Sequence, residues 1–181
     1  MALANIITHA NFTGILYLDV AGTKEVPVAR QKTLKDIITE FQQKIFRDLV
    51  GEALYQYLTD NEEEDVYTVL RDGVRITDDD GYKYEYRGLK TMLASFVYYY
   101  YKIRIESFDT GSGEKKSSNE NSTPANTGLN RKIIEAWNKG VDLYLDAISY
   151  INYKNDEETD YYPEFLPDYR NYANFMNHVG I

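Results

Sequence analysis

The run Asp78-Asp79-Asp80-Gly81 has the oxygen-rich look of a calcium loop. An EF-hand loop needs oxygen ligands at positions 1, 3 and 5, glycine at 6 and glutamate at 12. With Gly81 at position 6, Ile76 falls at position 1 and Arg87 at 12. The pattern fails at both, and the run reads as a hairpin turn. Gly111-Ser112-Gly113-Glu114-Lys115-Lys116 resembles a phosphate loop only in outline. It lacks the second glycine of the Walker pattern, and no apolar strand precedes it. It reads as a polar loop in which Lys115 and Lys116 are available to touch a partner.

The remaining reactive side chains are scattered. His9 and His178 lie at opposite ends of the chain, with no carboxylate or histidine at ligand spacing. Glu62, Glu63, Glu64 and Asp65 are immediate neighbours, whereas glycoside hydrolysis needs two carboxylates at a fixed separation across a cleft. The acidic run therefore reads as a solvated face. There is no cysteine, which excludes disulfides, thiolate zinc sites, iron–sulfur clusters and a cysteine nucleophile. Asn11-Phe12-Thr13 and Asn121-Ser122-Thr123 match the glycosylation sequon, but no basic and then apolar leader opens the chain, so both read as chance matches. No catalytic constellation emerges.

Tyrosine is the exception to this sparseness, with 18 copies against one tryptophan. A tyrosine ring joins an apolar body to a polar tip and suits half-buried packing and contact surfaces. Tyr98 to Tyr101 are consecutive. On a helix they point around nearly the whole circumference, so they form no flat stacking platform for a sugar. A helix ringed this way is surrounded by its own fold and by neighbouring subunits. The C-terminal tyrosines and phenylalanines, Tyr161, Tyr162, Phe165, Tyr169, Tyr172 and Phe175, form an aromatic tail read as a protein interface, together with Lys115 and Lys116.

The elements that must position these groups follow from hydrophobic period. A chain of 181 residues is long enough to bury its own core as one domain. Residues 1–32 read as an N-terminal arm, with a short strand or irregular stretch at Ile15–Val20. Thr33 reads as the N-cap of a helix on which Leu34, Ile37, Ile38, Phe41, Ile45 and Leu49 share a face. Gly51 marks a break, and a short helix follows over Glu52–Leu58. Residues 59–65 read as a solvated linker that leads into a turn of helix around Val66–Leu70. Val74 and Ile76, then Tyr82, Tyr84 and Tyr86, alternate about Asp80-Gly81 as a hairpin.

Gly88 opens a third major helix that fades near Ser107, with Leu89, Met92, Leu93, Phe96, Val97, Tyr100 and Ile103 on one face. Residues 109–128 are almost free of apolar side chains, and a structureless loop of about 20 residues is uncommon within a compact domain. A fourth helix spans Leu129–Ile151 with the stripe Ile133, Ile134, Trp137, Val141, Leu145, Ile148 and Ile151. Gly140 within it points to close helix packing. The expected fold is mainly α: a bundle of about four helices with a small β-hairpin between helices 2 and 3, a long polar loop and an extended C-terminal arm. Its parts are 1–32, 33–107, 108–128, 129–153 and 154–181.

Net charge is −9, from 20 Lys+Arg against 29 Asp+Glu. Phosphate binding by counterion release needs the opposite sign, which disfavours sequence-independent nucleic-acid affinity. The most apolar stretch, Met92–Tyr101, is too short for a bilayer, and no membrane partner is expected.

The order of these features resembles the head–tail connector (adaptor or head-completion) proteins of tailed bacteriophages, especially those of crAss-like and related phages of gut Bacteroidetes. The resemblance covers roughly residues 30–181. It is carried by Ile37-Ile38, Gln43-Lys44-Ile45 and Leu49-Val50-Gly51-Glu52-Ala53-Leu54-Tyr55; by Tyr86-Arg87-Gly88-Leu89-Lys90-Thr91-Met92-Leu93; by Glu120-Asn121-Ser122 with Pro124-Ala125; by Ala136-Trp137-Asn138 with Tyr150-Ile151; and by the ending Phe175-Met176-Asn177. Trp137-Asn138 stands where the family pattern would carry Tyr-Asn, and the Gly/Ser/Asn loop is longer than the pattern.

The resemblance implies a structural virion protein with no enzymatic activity and no cofactor or metal. It implies a ring of about twelve copies beneath the portal, contacting the portal and adjacent neck or tail proteins and closing head to tail by rotation. Genomic DNA would pass through unbound, which negative charge favours because like charges do not grip. Assembly would take place in the bacterial host cytoplasm. Loop 109–128 and tail 160–181 are expected to order on assembly. Two other classes stay open: a glycan- or peptide-binding accessory module, expected to show a planar row of exposed tyrosines, and a carboxylate-dependent hydrolase, expected to show convergent acids with raised pKa values.

Overall fold

The computed structural model describes residues 6–18, 28–62, 64–77, 81, 83–106, 109–110, 113–114, 126–157, 161–167 and 169–176, and only the backbone at 28–33, 105–106, 109–110, 113–114 and 126–130. The fold is mainly α. Helices α1 (Val28–Val50), α2 (Glu52–Asp60) and α3 (Asp65–Asp72) precede strands β1 (Val74–Thr77) and β2 (Lys83–Tyr86). Then come α4 (Leu89–Glu106), the two-residue strands β3 (Asp109–Thr110) and β4 (Gly113–Glu114), α5 (Asn126–Glu157) and the single turn α6 (Tyr169–Tyr172).

α4 and α5 form the central pair, and α1 packs on α4. The expected stripe of α1 is its core face: Leu34, Ile37, Ile38, Ile45 and Leu49 are buried, and Phe41 is half-buried. α4 is buried on more sides than one stripe, since Ala94, Ser95, Tyr98 and Tyr101 are also enclosed. Tyr98–Tyr101 do surround their helix. Two of them are buried and two half-buried, all within one chain. Gly140 brings α5 onto α4: a Cβ at this position would stand 2.9 Å from the Phe96 ring.

Several boundaries differ from the sequence expectation. α1 starts at Val28, so Thr33 lies inside the helix and caps nothing. Ala29, Arg30, Gln31 and Lys32 are good helix formers and carry the helix back to just after Pro27. The stretch 65–72 is a full amphipathic helix with Tyr67 and Leu70 buried, because burial of one face stabilises a segment whose first turn is polar. The hairpin therefore follows the third helix rather than the second. α5 runs 32 residues, from Asn126 to Glu157, through the expected stop at Ile151. The Ile15–Val20 stretch, as far as Leu18, is no strand. It holds a 3-10 turn at Gly14–Leu16, after another at His9–Asn11, and Ile6, Ile7, Phe12, Leu16 and Leu18 are buried. A small β3–β4 ladder interrupts the segment read as a structureless loop.

The hairpin register is Val74↔Tyr86, Arg75↔Glu85, Ile76↔Tyr84 and Thr77↔Lys83. Its base is pinched by two glycines at positive φ, Gly73 at 92° and Gly88 at 76°. A Cβ on Gly88 would sit 2.6 Å from the Gly73 nitrogen, so the two backbones touch where they cross. The Tyr84 hydroxyl donates to Asp146 Oδ1 on α5 (2.8 Å), and Arg87 Nε lies 3.9 Å from Asp146 Oδ2. The hairpin is thereby fastened to the longest helix.

Candidate functional site

The described residues concentrate their unusual geometry where the C-terminal segment 161–176 crosses the body. The first fastening is at Asn155 on α5. Its side-chain amide donates to the Tyr162 carbonyl (3.0 Å) and accepts from the Tyr162 N–H (2.7 Å). One amide side chain thus pairs with both main-chain groups of one residue, as a neighbouring β-strand would. The Tyr162 ring is buried, its hydroxyl donates to the Val66 carbonyl (3.2 Å), and its edge meets Tyr150. Tyr150 in turn stacks flat on Tyr86, centroids 4.2 Å apart and planes 3° apart, and Tyr86 donates to the Leu70 carbonyl. Burial is the main cause that pushes the Tyr162 and Tyr86 hydroxyls far above the usual phenol range.

The second fastening repeats the device. Asn138 donates to the Met176 carbonyl (3.0 Å) and accepts from the Met176 N–H (2.7 Å). Trp137 Nε1 donates to the Asn174 carbonyl (2.8 Å). Between the two anchors the Tyr172 ring fills a seat made by Phe96, Tyr144 and Trp137, at centroid distances of 5.2, 5.6 and 6.4 Å. Lys44 on α1 donates to the Tyr172 hydroxyl (3.2 Å) and to Asp48 Oδ2 (2.8 Å). Burial first, and then the nearby Tyr100 and Asp48, hold the Tyr172 proton in place well beyond the ordinary range.

The chain between the fastenings carries local backbone strain. Pro163 and Pro167 restrict it, and Glu164 sits at φ 55°, a left-handed conformation unfavourable for a side chain bearing a Cβ. The Leu166 N–H donates to the Val50 carbonyl (3.2 Å) and holds Leu166 over Gly51, yet its side chain is 75% exposed. Tyr169 and Phe175 are each 52% exposed.

Over the described residues of 161–176, then, the tail is docked on the body rather than extended. Tyr162 and Tyr172, expected at an interface, point inward and belong to the chain's own core. Tyr161 and Phe165 are half-buried, and Tyr169 and Phe175 face outward. Two rings at suitable spacing bury enough apolar surface to dock the segment without a partner. Lys115 and Lys116, Asp78–Asp80 and His178 lie outside the described residues. In the sequence Asn138 and Lys44 stand out only within the family resemblance, with no site role, and Asn155 and Leu166 are not singled out. For Asn138 and Asn155 the available signal was an asparagine inside a helix, a poor helix former that needs a local reason to be there.

The Asp72 carboxyl is held down to about 2, mainly by its hydrogen bond from Arg71 and then by Lys90. That is the reverse of the raised carboxyl a hydrolase acid would need. Among the described residues no group of three or more acidic, histidine or cysteine side chains is placed to hold a metal ion. No helix among them is long and apolar enough to cross a membrane.

No curated protein and no solved structure matches the chain. A family profile described as a family of unknown function, DUF6712, matches residues 46–173, from the end of α1 to just beyond α6. That span contains the Asn155 fastening, the Tyr172 seat and the hairpin, and on this match the chain belongs to the DUF6712 family.

Proposed function

We propose that this protein is a structural component of a phage virion, a head–tail connector ring that joins the portal to the tail and lines the DNA channel. The observation that carries this reading is the docked tail. It is fastened to the body at both ends yet turns Leu166, Tyr169 and Phe175 to solvent. Large apolar side chains held rigidly outward suit contact with a neighbouring subunit, because little conformational entropy is lost when they are covered.

The segments that carry the resemblance to connectors support the same reading through their positions. Gly51 with Leu54-Tyr55 forms the α1–α2 corner, Gly88-Leu89 the hairpin-to-α4 joint, and Trp137-Asn138 the tail clasp. Net charge of −9 favours a wall along which DNA slides. The ring closes head to tail with about twelve copies, and its partners are the portal and the next neck protein.

Imaging of intact particles tests this reading. The expected result is density for this helical body, with its hairpin, as a ring directly beneath the portal. Purified particles that lack this polypeptide would refute it.

A further inference from the structure

The two fastenings of the tail differ in reach. Asn155 and Tyr162 are seven residues apart, so that contact is local to the end of α5. Asn138 and Met176 are 38 residues apart, and Lys44 and Tyr172 are 128 apart. Tyr172, Asn174 and Met176 are thus held by parts of the body far away in sequence. The chain that joins this segment to the local anchor, residues 163–168, makes among its described residues one main-chain bond of its own to the body, from the Leu166 N–H to the Val50 carbonyl.

That stretch has the properties of an exchange hinge. It is short, contains two prolines, and places Glu164 at φ 55°. Strained short connections favour domain exchange, because opening them releases strain while every seat contact is remade in another copy. The seat is suited to this. Asn138 and Trp137 read main-chain atoms, and one ring fills the Phe96–Tyr144–Trp137 cage. Any copy of the strap satisfies it equally.

We infer that residues Tyr169–Met176 form an exchangeable strap, seated in the chain's own groove when monomeric and in the same groove of an adjacent copy when assembled. The inference rests on the ring reading above and specifies how neighbouring copies are tied together. The occupant of the groove is a second copy of this segment. In a closed ring each copy gives one strap and receives one, which is the heterologous arrangement such a ring requires.

The absence of native cysteine makes the test direct. Lys139→Cys and Ala173→Cys place one thiol beside the clasp and one on the strap, leaving Asn138, Trp137 and Tyr172 intact. The full-length double variant is treated with a flexible bis-maleimide, at low concentration and as the oligomer isolated by size. Denaturing gels then separate links within one chain from links between chains.

Links within the chain at low concentration and a covalent ladder in the oligomer are expected. An oligomer that yields only links within single chains overturns strap exchange and leaves the ring standing. A chain that stays monomeric at high concentration, alone and with its host particle's portal, and links only within itself, overturns both. Failure to link under any condition removes the docked strap on which the inference is built. Adding Glu164→Gly, which relieves the hinge, is expected to lower the ladder by about fivefold relative to links within the chain. An unchanged ladder would show that strain does not drive exchange and would overturn the mechanism.

Discussion

Tyr172 shows how much one side chain decides. Its ring is enclosed by three aromatic neighbours and its hydroxyl is bonded to Lys44. Tyr172→Ala is expected to cost about 3–5 kcal/mol in chemical denaturation, the range for removing a buried aromatic ring. Tyr172→Phe, which keeps the ring, should cost only about 1 kcal/mol. Equal losses in the two variants would mean that the hydroxyl, and not the seat, holds the strap. Gly140 supplies a complementary case. Alanine is the better helix former by about 1 kcal/mol, but its methyl would meet the buried Phe96 ring at 2.9 Å. That ring is itself packed against Trp137, Tyr144 and Tyr172 and has nowhere to move. Gly140→Ala is therefore expected to destabilise by about 1–3 kcal/mol, and a stabilised variant in thermal melts would contradict the close α4–α5 approach.

Among the elements, the strap and the α3–α4 corner are the two whose stability can be probed separately. Asn138→Ala removes both bonds to Met176 and leaves the Asn155 anchor in place. Amide exchange should accelerate over residues 172–176 with little change in α1 and α4. Protection lost throughout the protein would show instead that the strap and core unfold as one unit. At the corner, Asp72 is bonded to Arg71 at the end of α3 and to Lys90 at the start of α4. Its carboxyl is lowered to about 2 in the folded chain, against the ordinary value of 3.8. A lowered carboxyl contributes stability above its unfolded pKa and loses it as pH falls through the folded one. The corner should therefore weaken between about pH 4 and pH 2. The pair is substantially exposed, so the contribution stays below about 1 kcal/mol. Asp72→Asn should flatten the stability profile in that interval alone.

For the whole molecule, tyrosine governs the response to base. Burial raises the phenol of Tyr67 to about 12 and pushes those of Tyr86, Tyr162 and Tyr172 further in the same direction. A raised pKa means that the fold holds the neutral form. The associated stability is complete below the unfolded value near 10 and is lost as pH rises through the folded values. The protein should unfold cooperatively above about pH 10, with the buried phenols ionising together with the loss of helical circular dichroism. Phenolate absorbance that completes while the helices remain intact would show that these rings are open to solvent. The same rings knit α3, β2, α4, α5 and the tail into one core. Tyrosine contacts thus tie the tail and the hairpin to a core that is otherwise mainly aliphatic.

From its residues alone the chain declares a mainly helical fold, the apolar faces of α1, α4 and α5, the hairpin and the closeness required at Gly140. These are local matters. Period, turn chemistry and the absence of a side chain act within a few residues, and the structure keeps them except at Ile103, which the period puts on the core face of α4 but which is 43% exposed near the helix end. The extent of α3 and α5 was not legible, because helix ends depend on what a segment packs against. The direction of each tail ring was legible least of all. Tyr162, Tyr169, Tyr172 and Phe175 are much alike as residue types, yet two are buried and two exposed. Asn138, Asn155 and Lys44 decide which two. They meet the tail across 38, 7 and 128 positions of chain. The Asn138 and Lys44 bonds span so much chain that they exist only once the helices are in place, so tertiary structure turned an aromatic tail into a clasped strap.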